Sequence, residues 1–175
     1  LNAHDFVWSW WRALQPKLGN LYAYMHFPIA NARQYYQGDI EDFSEVGVVA
    51  IDDLTLQVTL ENPTPYFLQL LDHYSLFPVH RASIEQHGEH DERGTRWTYA
   101  GNMVSNGPFK LAEWEINRSV IVDKNPHYYA SDDVRLNRVV FYPTENLTTE
   151  ERMFRAEQLH YCLLYTSPSP RDIGP

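Results

Sequence analysis

The chain has 175 residues, enough for one ordinary domain or two small ones. With 43% apolar and 21% charged residues it is globular over most of its length, and a net charge of −9 without a basic stripe excludes a nucleic-acid binder that neutralises phosphates. A single cysteine, Cys162, excludes an internal disulfide and multi-cysteine zinc sites, and no apolar run approaches the about 20 residues of a membrane span.

Aromatics make up 14% of the chain, including 5 Trp and 12 Tyr, which suits surfaces that enclose or stack on a ligand as well as a core. No signal peptide opens the chain. Leu1 is not an initiator and Asn2 reads as a helix cap entered from a preceding segment, so the sequence reads as an internal fragment.

Asn2 and Asp5 have the spacing of an N-cap with an acidic N3 residue. Phe6, Val7, Trp10, Trp11 and Leu14 follow at helical spacing, and Pro16 ends that helix near residues 13–15. Residues 17–36 read as a short helix and loops. Tyr22, Tyr24 and Phe27 there line a pocket or pack under the first helix. After an acidic loop at 38–43, residues 46–51 and 54–60 form a hairpin. Leu54, Leu56, Val58 and Leu60 alternate with polar residues as a half-buried strand does, and Asp52-Asp53 favours a loop longer than two residues. Pro63-Thr64-Pro65 breaks the strand, and residues 66–71 read as a short helix packed by Phe67, Leu70 and Leu71.

Phe77-Pro78-Val79 is an extended linker, with a subdomain crossing expected near residues 75–80. Residues 83–96 are polar and charged, and 97–104 are loop. Asn106-Gly107-Pro108 is turn chemistry that opens a second hairpin. Its first strand carries Phe109, Leu111 and, after Ala112, Trp114. Glu115-Ile116-Asn117 is the reversal, and 119–124 is the return strand, stopped by Asn125-Pro126 and followed by Tyr128-Tyr129. Residues 131–133 turn again, 136–142 form a strand with Val139, Val140 and Phe141 as a buried run, and Thr148 with Glu151 caps a last helix carrying Met153, Phe154 and Leu159. Beyond His160 the text becomes YCLLYTSPSPRDIGP, which has no periodicity. LLYTSPSPRD resembles adapter read-through more than protein evolved to fold, a genuine Pro/Ser-rich tail being the alternative, and residues 161–175 are treated as a non-native or poorly ordered tail.

Candidate chemistry is sparse. Glu85, His87, Glu89, His90 and Asp91 are the best metal-ligand set, but Gly88 interrupts them and no third ligand has a fixed spacing, so a solvated charged loop is the default. His4-Asp5 are helix neighbours that do not face each other. The pairs Asp52-Asp53, Asp132-Asp133 and Glu150-Glu151 all sit at turns or helix starts, where acidic residues are expected anyway. The acceptor patterns at Asn117 and Asn146 are too common to carry weight. No motif for a serine hydrolase, zinc protease or nucleotide binder occurs. The residues alone describe an acidic α+β chain with aromatic surfaces and no visible catalytic constellation.

Three blocks together carry a resemblance: NAHDFVWSWWRALQP at 2–16, VVAIDDLTLQVTLENPTPYFLQLL at 48–71, and NMVSNGPFKLAEWEINRSVIVDKNPHYY at 102–129. Each resembles, in order, the matching block of the periplasmic oligopeptide-binding proteins, the receptors of peptide ABC importers. The departures are Asn2 where that family often has Thr, two residues fewer before Tyr22, and the foreign-looking tail. The resemblance implies a fragment of a two-lobed, cleft-forming fold, mixed α+β with hairpins and short helices. Residues 1–76 would be part of an extra subdomain and 77–160 part of the first ligand-binding lobe, most groups that anchor peptide termini lying in a lobe outside this chain. It implies an oligopeptide ligand, permease subunits in the membrane as partners, a monomer, no cofactor, no catalysis, and a periplasmic or, in a Gram-positive host, membrane-anchored extracellular location. Receptors of the same fold for dipeptide, nickel, haem or sugar are the alternative, and a lobe of a carbohydrate-active enzyme or peptidase is a more distant one. The cleft-facing tyrosine of the family's S-P-Y-A-S-Y segment matches Tyr22 in LYAYMHF. Asn106 and Gly107 match the family's N-G-x-[YF]-K-L hairpin and are read as structural first and ligand-binding second.

Overall fold

Helix α1, Ala3–Ala13, starts where its sequence says it should. The Asn2 side chain accepts from the Asp5 amide, and the Asp5 carboxylate accepts from the Asn2 amide at 2.7 Å, a reciprocal capping box. In this computed structural model, which describes residues 1–162, the chain forms two compact units, 1–105 and the residues from Asn106 onward.

In the first unit α1 buries Ala3, Ser9 and Trp10 and packs on a small antiparallel sheet of β1, Val48–Ala50, and β2, Leu56–Val58. Val48 pairs with Val58 and Ala50 with Leu56, and a further bridge joins Ile29 to Leu60. Short 3-10 turns at Pro16–Leu18 and Ala23–His26 lead to α2, Ala32–Gln37. The core is Trp10, Leu14, Ile29, Val46, Val48 and Leu76, with Ala32 and Phe67 from α2 and α3, Phe67–Leu70. Trp10 Nε1 donates to the Leu76 carbonyl at 2.9 Å and the Val79 amide donates to Ser9 Oγ at 2.9 Å, so the extended 77–79 stretch is tied to α1.

Two expectations are corrected here. The strand does not begin at Leu54: the Asp52 carboxylate accepts from the Leu54 amide and the Thr55 hydroxyl, which closes a turn and leaves Leu54 92% exposed. Nor is the charged 85–91 segment loop from its first residue, because Glu85 ends α4, Arg81–Glu85. His80 caps it by accepting the Ser83 amide at 3.3 Å, and Ile84 is fully buried; one apolar residue in a polar run carries no periodicity to read.

The second unit is built on a three-stranded antiparallel sheet, β3, Phe109–Glu115, β4, Ser119–Lys124, and β5, Arg138–Phe141, in that order. Leu111 pairs with Val122 and Trp114 with Val120, with an irregularity between Leu111 and Glu113. Ala112 is the extra residue of this bulge. It shifts the alternation by one, so Phe109, Leu111 and Trp114 share a face despite their uneven spacing. The reversal places Asn117 at φ 60°, a left-handed position asparagine tolerates. Asn125, 3% exposed, holds the hairpin's open end: its amide donates to the Pro108 carbonyl and its side-chain nitrogen to the Gly107 carbonyl, both at 2.9 Å.

Here too the sequence reading needs correcting. Val140 and Phe141 are 37% and 55% exposed rather than buried, because neither face of the sheet is fully covered at β5. Helix α5, Leu147–Arg155, is capped by Asn146, whose side chain accepts the Thr149 amide at 3.0 Å, not by Thr148, and it ends before Leu159. The expectation for the tail falls outside the described residues from 163 onward.

Candidate functional site

The first unit gathers an aromatic cluster around Tyr22. Asn20 sets its backbone by accepting the Tyr22 amide at 3.0 Å, just before the 3-10 turn Ala23–His26 begins. The Tyr22 ring then meets His73 at 5.1 Å and Tyr74 edge-on at 5.4 Å, with Tyr24 at 6.2 Å. His73 and Tyr74 stack on each other at 4.3 Å, and His73 is fixed by Ser75, whose hydroxyl lies 2.8 Å from Nδ1. A hydrogen bond between the two phenols raises the Tyr74 pKa above its ordinary value. Tyr22 is 37% exposed and Tyr74 61%, so these rings form a wall open to solvent rather than core.

This wall borders a cleft of about 390 Å³ whose other sides come from Ser9, Arg12, Phe77 and Arg93. A second cleft of about 590 Å³ is lined by Tyr24, Phe27, Arg33, Glu61 and Tyr66, with the Arg33 guanidinium 5.0 Å from the Phe27 ring centre. Of the three aromatics left open between pocket and packing, Tyr22 lines the first cleft and Tyr24 the second. Phe27 does both, since it also packs against the core.

The other predicted site residues lie elsewhere. Asn106 is exposed at the start of the second unit, and the Gly107 carbonyl accepts from Asn125. His4 sits 3.6 Å from Asp53, while Asp5 is engaged in its cap. In the charged 85–91 segment Asp91 pairs with Lys17 at 2.9 Å and His90 lies 4.5 Å from the Trp11 ring. Among the described residues no three His, Cys, Asp or Glu side chains converge as a metal-binding set.

Sequence reasoning missed Arg12, His73, Tyr74 and Arg93. Ser9 and Arg12 stand at i,i+3 on one side of α1, a spacing visible in the sequence. His73, Tyr74 and Arg93 reach the site only through tertiary folding.

Comparison with known proteins supplies context for this wall. The family described as bacterial extracellular solute-binding proteins, family 5 middle, matches residues 1–173. The periplasmic oligopeptide-binding protein OppA of Escherichia coli K12 is 35% identical over 161 residues, covering 91% of this chain and 28% of that protein. The solved structure of Burkholderia pseudomallei OppA superimposes with a TM-score of 0.86 at 32% identity, over 93% of this chain and 31% of the other. The Haemophilus influenzae OppA complex with the peptide RPPGFSPFR gives a TM-score of 0.79 at 32% identity, over 91% and 30%. The chain thus spans less than one third of each of these proteins.

Proposed function

The chain belongs to the family 5 bacterial extracellular solute-binding proteins, and from that premise we propose that it is part of an ABC-importer receptor that captures oligopeptides outside the cytoplasm and delivers them to a membrane permease. Its mixed helix-and-strand architecture is a fragment of the fold shared by the periplasmic peptide-binding structures it superimposes on. Those relatives are solute-binding proteins, one of them solved with a nonapeptide, and we extend their role to this chain: it binds and releases, and catalyses nothing. The receptor works as a monomer in the periplasm, or anchored outside the membrane in a Gram-positive host.

The observation that carries this reading is the solvent-facing wall of Tyr22, Tyr74 and His73 beside a cleft. Aromatic faces accept many side chains through stacking and apolar contact, and a phenol adds one donor for a peptide carbonyl, which suits a receptor that must tolerate varied sequences. Tyr22 is the proposed ligand contact. Asn106 and Gly107 shape the hairpin end, which makes them supports of the receptor before contacts of it. Residues 1–76 are assigned to the extra subdomain and 77–160 to the first lobe of the longer receptor.

The test is calorimetric titration of the receptor, expressed from its complete reading frame, with tri- to pentapeptides. Micromolar or tighter binding is expected, and Tyr22→Ala should weaken it about tenfold, the loss of about 1.4 kcal/mol of contact. No peptide binding, with tight binding of a sugar or haem instead, would overturn the proposal.

A further inference from the structure

The cleft beside Tyr22 has a charge balance opposite to that of the chain. The protein carries a net charge of −9, yet the residues lining this cleft include two arginines, Arg12 and Arg93, and no acid. Arg12 projects from the last turn of α1, and its Nε is shut off from solvent without a hydrogen-bond partner. A buried guanidinium nitrogen without an acceptor is costly and calls for one. Its guanidinium rests 5.8 Å from the Trp97 ring centre. Asp91 is the acid whose charge acts on it, but that carboxylate is taken by Lys17, at 2.9 and 3.1 Å from its two oxygens. Arg93 is anchored by a hydrogen bond to the Gly19 carbonyl.

The other polar side chains of the cleft are already engaged. Ser9 bonds the Val79 backbone, Asn20 bonds the Ala13 carbonyl and the Tyr22 amide, and Ser75 bonds His73. That leaves the Tyr22 and Tyr74 hydroxyls as neutral donors and the guanidinium groups as the charged ones, with Phe77 beside them. A volume of about 390 Å³ lies within the range of small-ligand sites.

We propose that this cleft is a carboxylate subsite, in which Arg12, supported by Arg93, receives an anionic group carried on an apolar stem lying between the aromatic rings. The planar fork of arginine matches a carboxylate, and a charge-assisted pair of this kind is stronger than a neutral hydrogen bond. The carboxylate is that of an acidic peptide side chain or of a peptide C-terminus. The inference deepens the peptide-capture reading and rests on it only for the source of that group.

Two measurements on the receptor expressed from its complete reading frame decide the matter. In protein labelled with 15N-arginine, the Arg12 Nε–H resonance, identified by its disappearance in Arg12→Lys, is followed while 3-phenylpropionate or its neutral amide is added. A shift with the carboxylate alone is expected; an equal response to both, or to neither, overturns the subsite. The second measurement is calorimetry with Ala-Glu-Ala and Ala-Gln-Ala, each as free acid and as C-terminal amide. A preference of about tenfold for one carboxylate form, reduced to within about twofold in Arg12→Gln, is expected and identifies which carboxylate is used. An unchanged preference in Arg12→Gln, and in Arg12→Lys should the first variant fold poorly, overturns the proposal. If no peptide binds but the resonance responds to the carboxylate alone, the peptide reading fails and the anion subsite stands.

Discussion

His26 lies at the centre of the first unit, fully buried, edge-on to Trp10 at 6.0 Å, with neither ring nitrogen in hydrogen-bonding geometry. Burial pushes its pKa down to about 4; the Ala23 carbonyl, close but not well placed for a hydrogen bond, offsets this in part. Since the folded value lies below the unfolded one of about 6.5, the unfolded chain takes up the proton first as pH falls. Stability is therefore complete above about pH 6.5, declines down to about pH 4 and then levels off for this group, a loss of about 3 kcal/mol. Urea midpoints across that window should fall for the parent protein, and the slope should flatten in His26→Leu. Asp42 and Asp52 accept backbone hydrogen bonds that hold their carboxyls below the ordinary carboxylate range, so their contributions vanish at lower pH and do not confuse the reading. Gly47 is the second such residue. A Cβ there would stand 2.5 Å from the Thr59 carbonyl oxygen and 3.0 Å from the Ala30 Cβ, where the chain at 30, 47 and 59 is knitted by mutual backbone hydrogen bonds. Gly47→Ala is expected to lower unfolding free energy by about 1–3 kcal/mol, measured by chemical denaturation. Neither residue announced itself in the sequence. A histidine among aromatics and a glycine before a valine run become special only when distant segments close on them.

Among the elements, capping was the most legible feature and also the most easily misplaced. The Asn2–Asp5 box was read correctly because the helix behind it has a strong apolar period, whereas α5 was expected to be capped by Thr148 and is capped by Asn146 instead. The side-chain bond from Asn146 to the Thr149 amide decides between them. Asn146→Ala should cost about 1 kcal/mol of helix stability and Thr148→Ala much less, which circular dichroism of the two variants will separate. The β3–β4 hairpin was legible down to the break in its apolar spacing at Ala112, since two apolar residues followed by an extra position and a third is how a bulge looks in sequence. Deleting Ala112 should remove the bulge, return β3 to simple alternation and leave Trp114 opposite Val120 on the face it shares with Leu111. A Trp114–Val120 cross-strand contact by NMR that survives the deletion is the expected result, and its loss would show that Ala112 is not the extra residue. The hairpin β1–β2 was located but its second strand was drawn too long. Alternation cannot distinguish Leu54 from Leu56, while the Asp52 carboxylate, by bonding the next backbone amide but one, takes Leu54 into the turn.

At the scale of the whole molecule, the second unit carries Trp114 and Phe141 on one face of its sheet, 59% and 55% exposed, beside Val120. An apolar sheet face of this kind asks for cover. The isolated chain should bind the dye ANS at that face, and the receptor made from the complete reading frame should not. By the same reasoning this chain alone, spanning less than a third of its relatives, is expected to bind tri- to pentapeptides weakly or not at all, and calorimetric affinity below one micromolar would contradict that. The sequence by itself determined the class of the molecule, the principal helix with its cap and the two hairpins, because periodicity, capping and turn chemistry act over a few residues and leave their marks in order. Tertiary structure alone decided the aromatic wall and the cationic cleft. Tyr22, Tyr74, Arg12 and Arg93 are scattered over about eighty positions, and only folding brings them to one cleft and hides the Arg12 Nε from water.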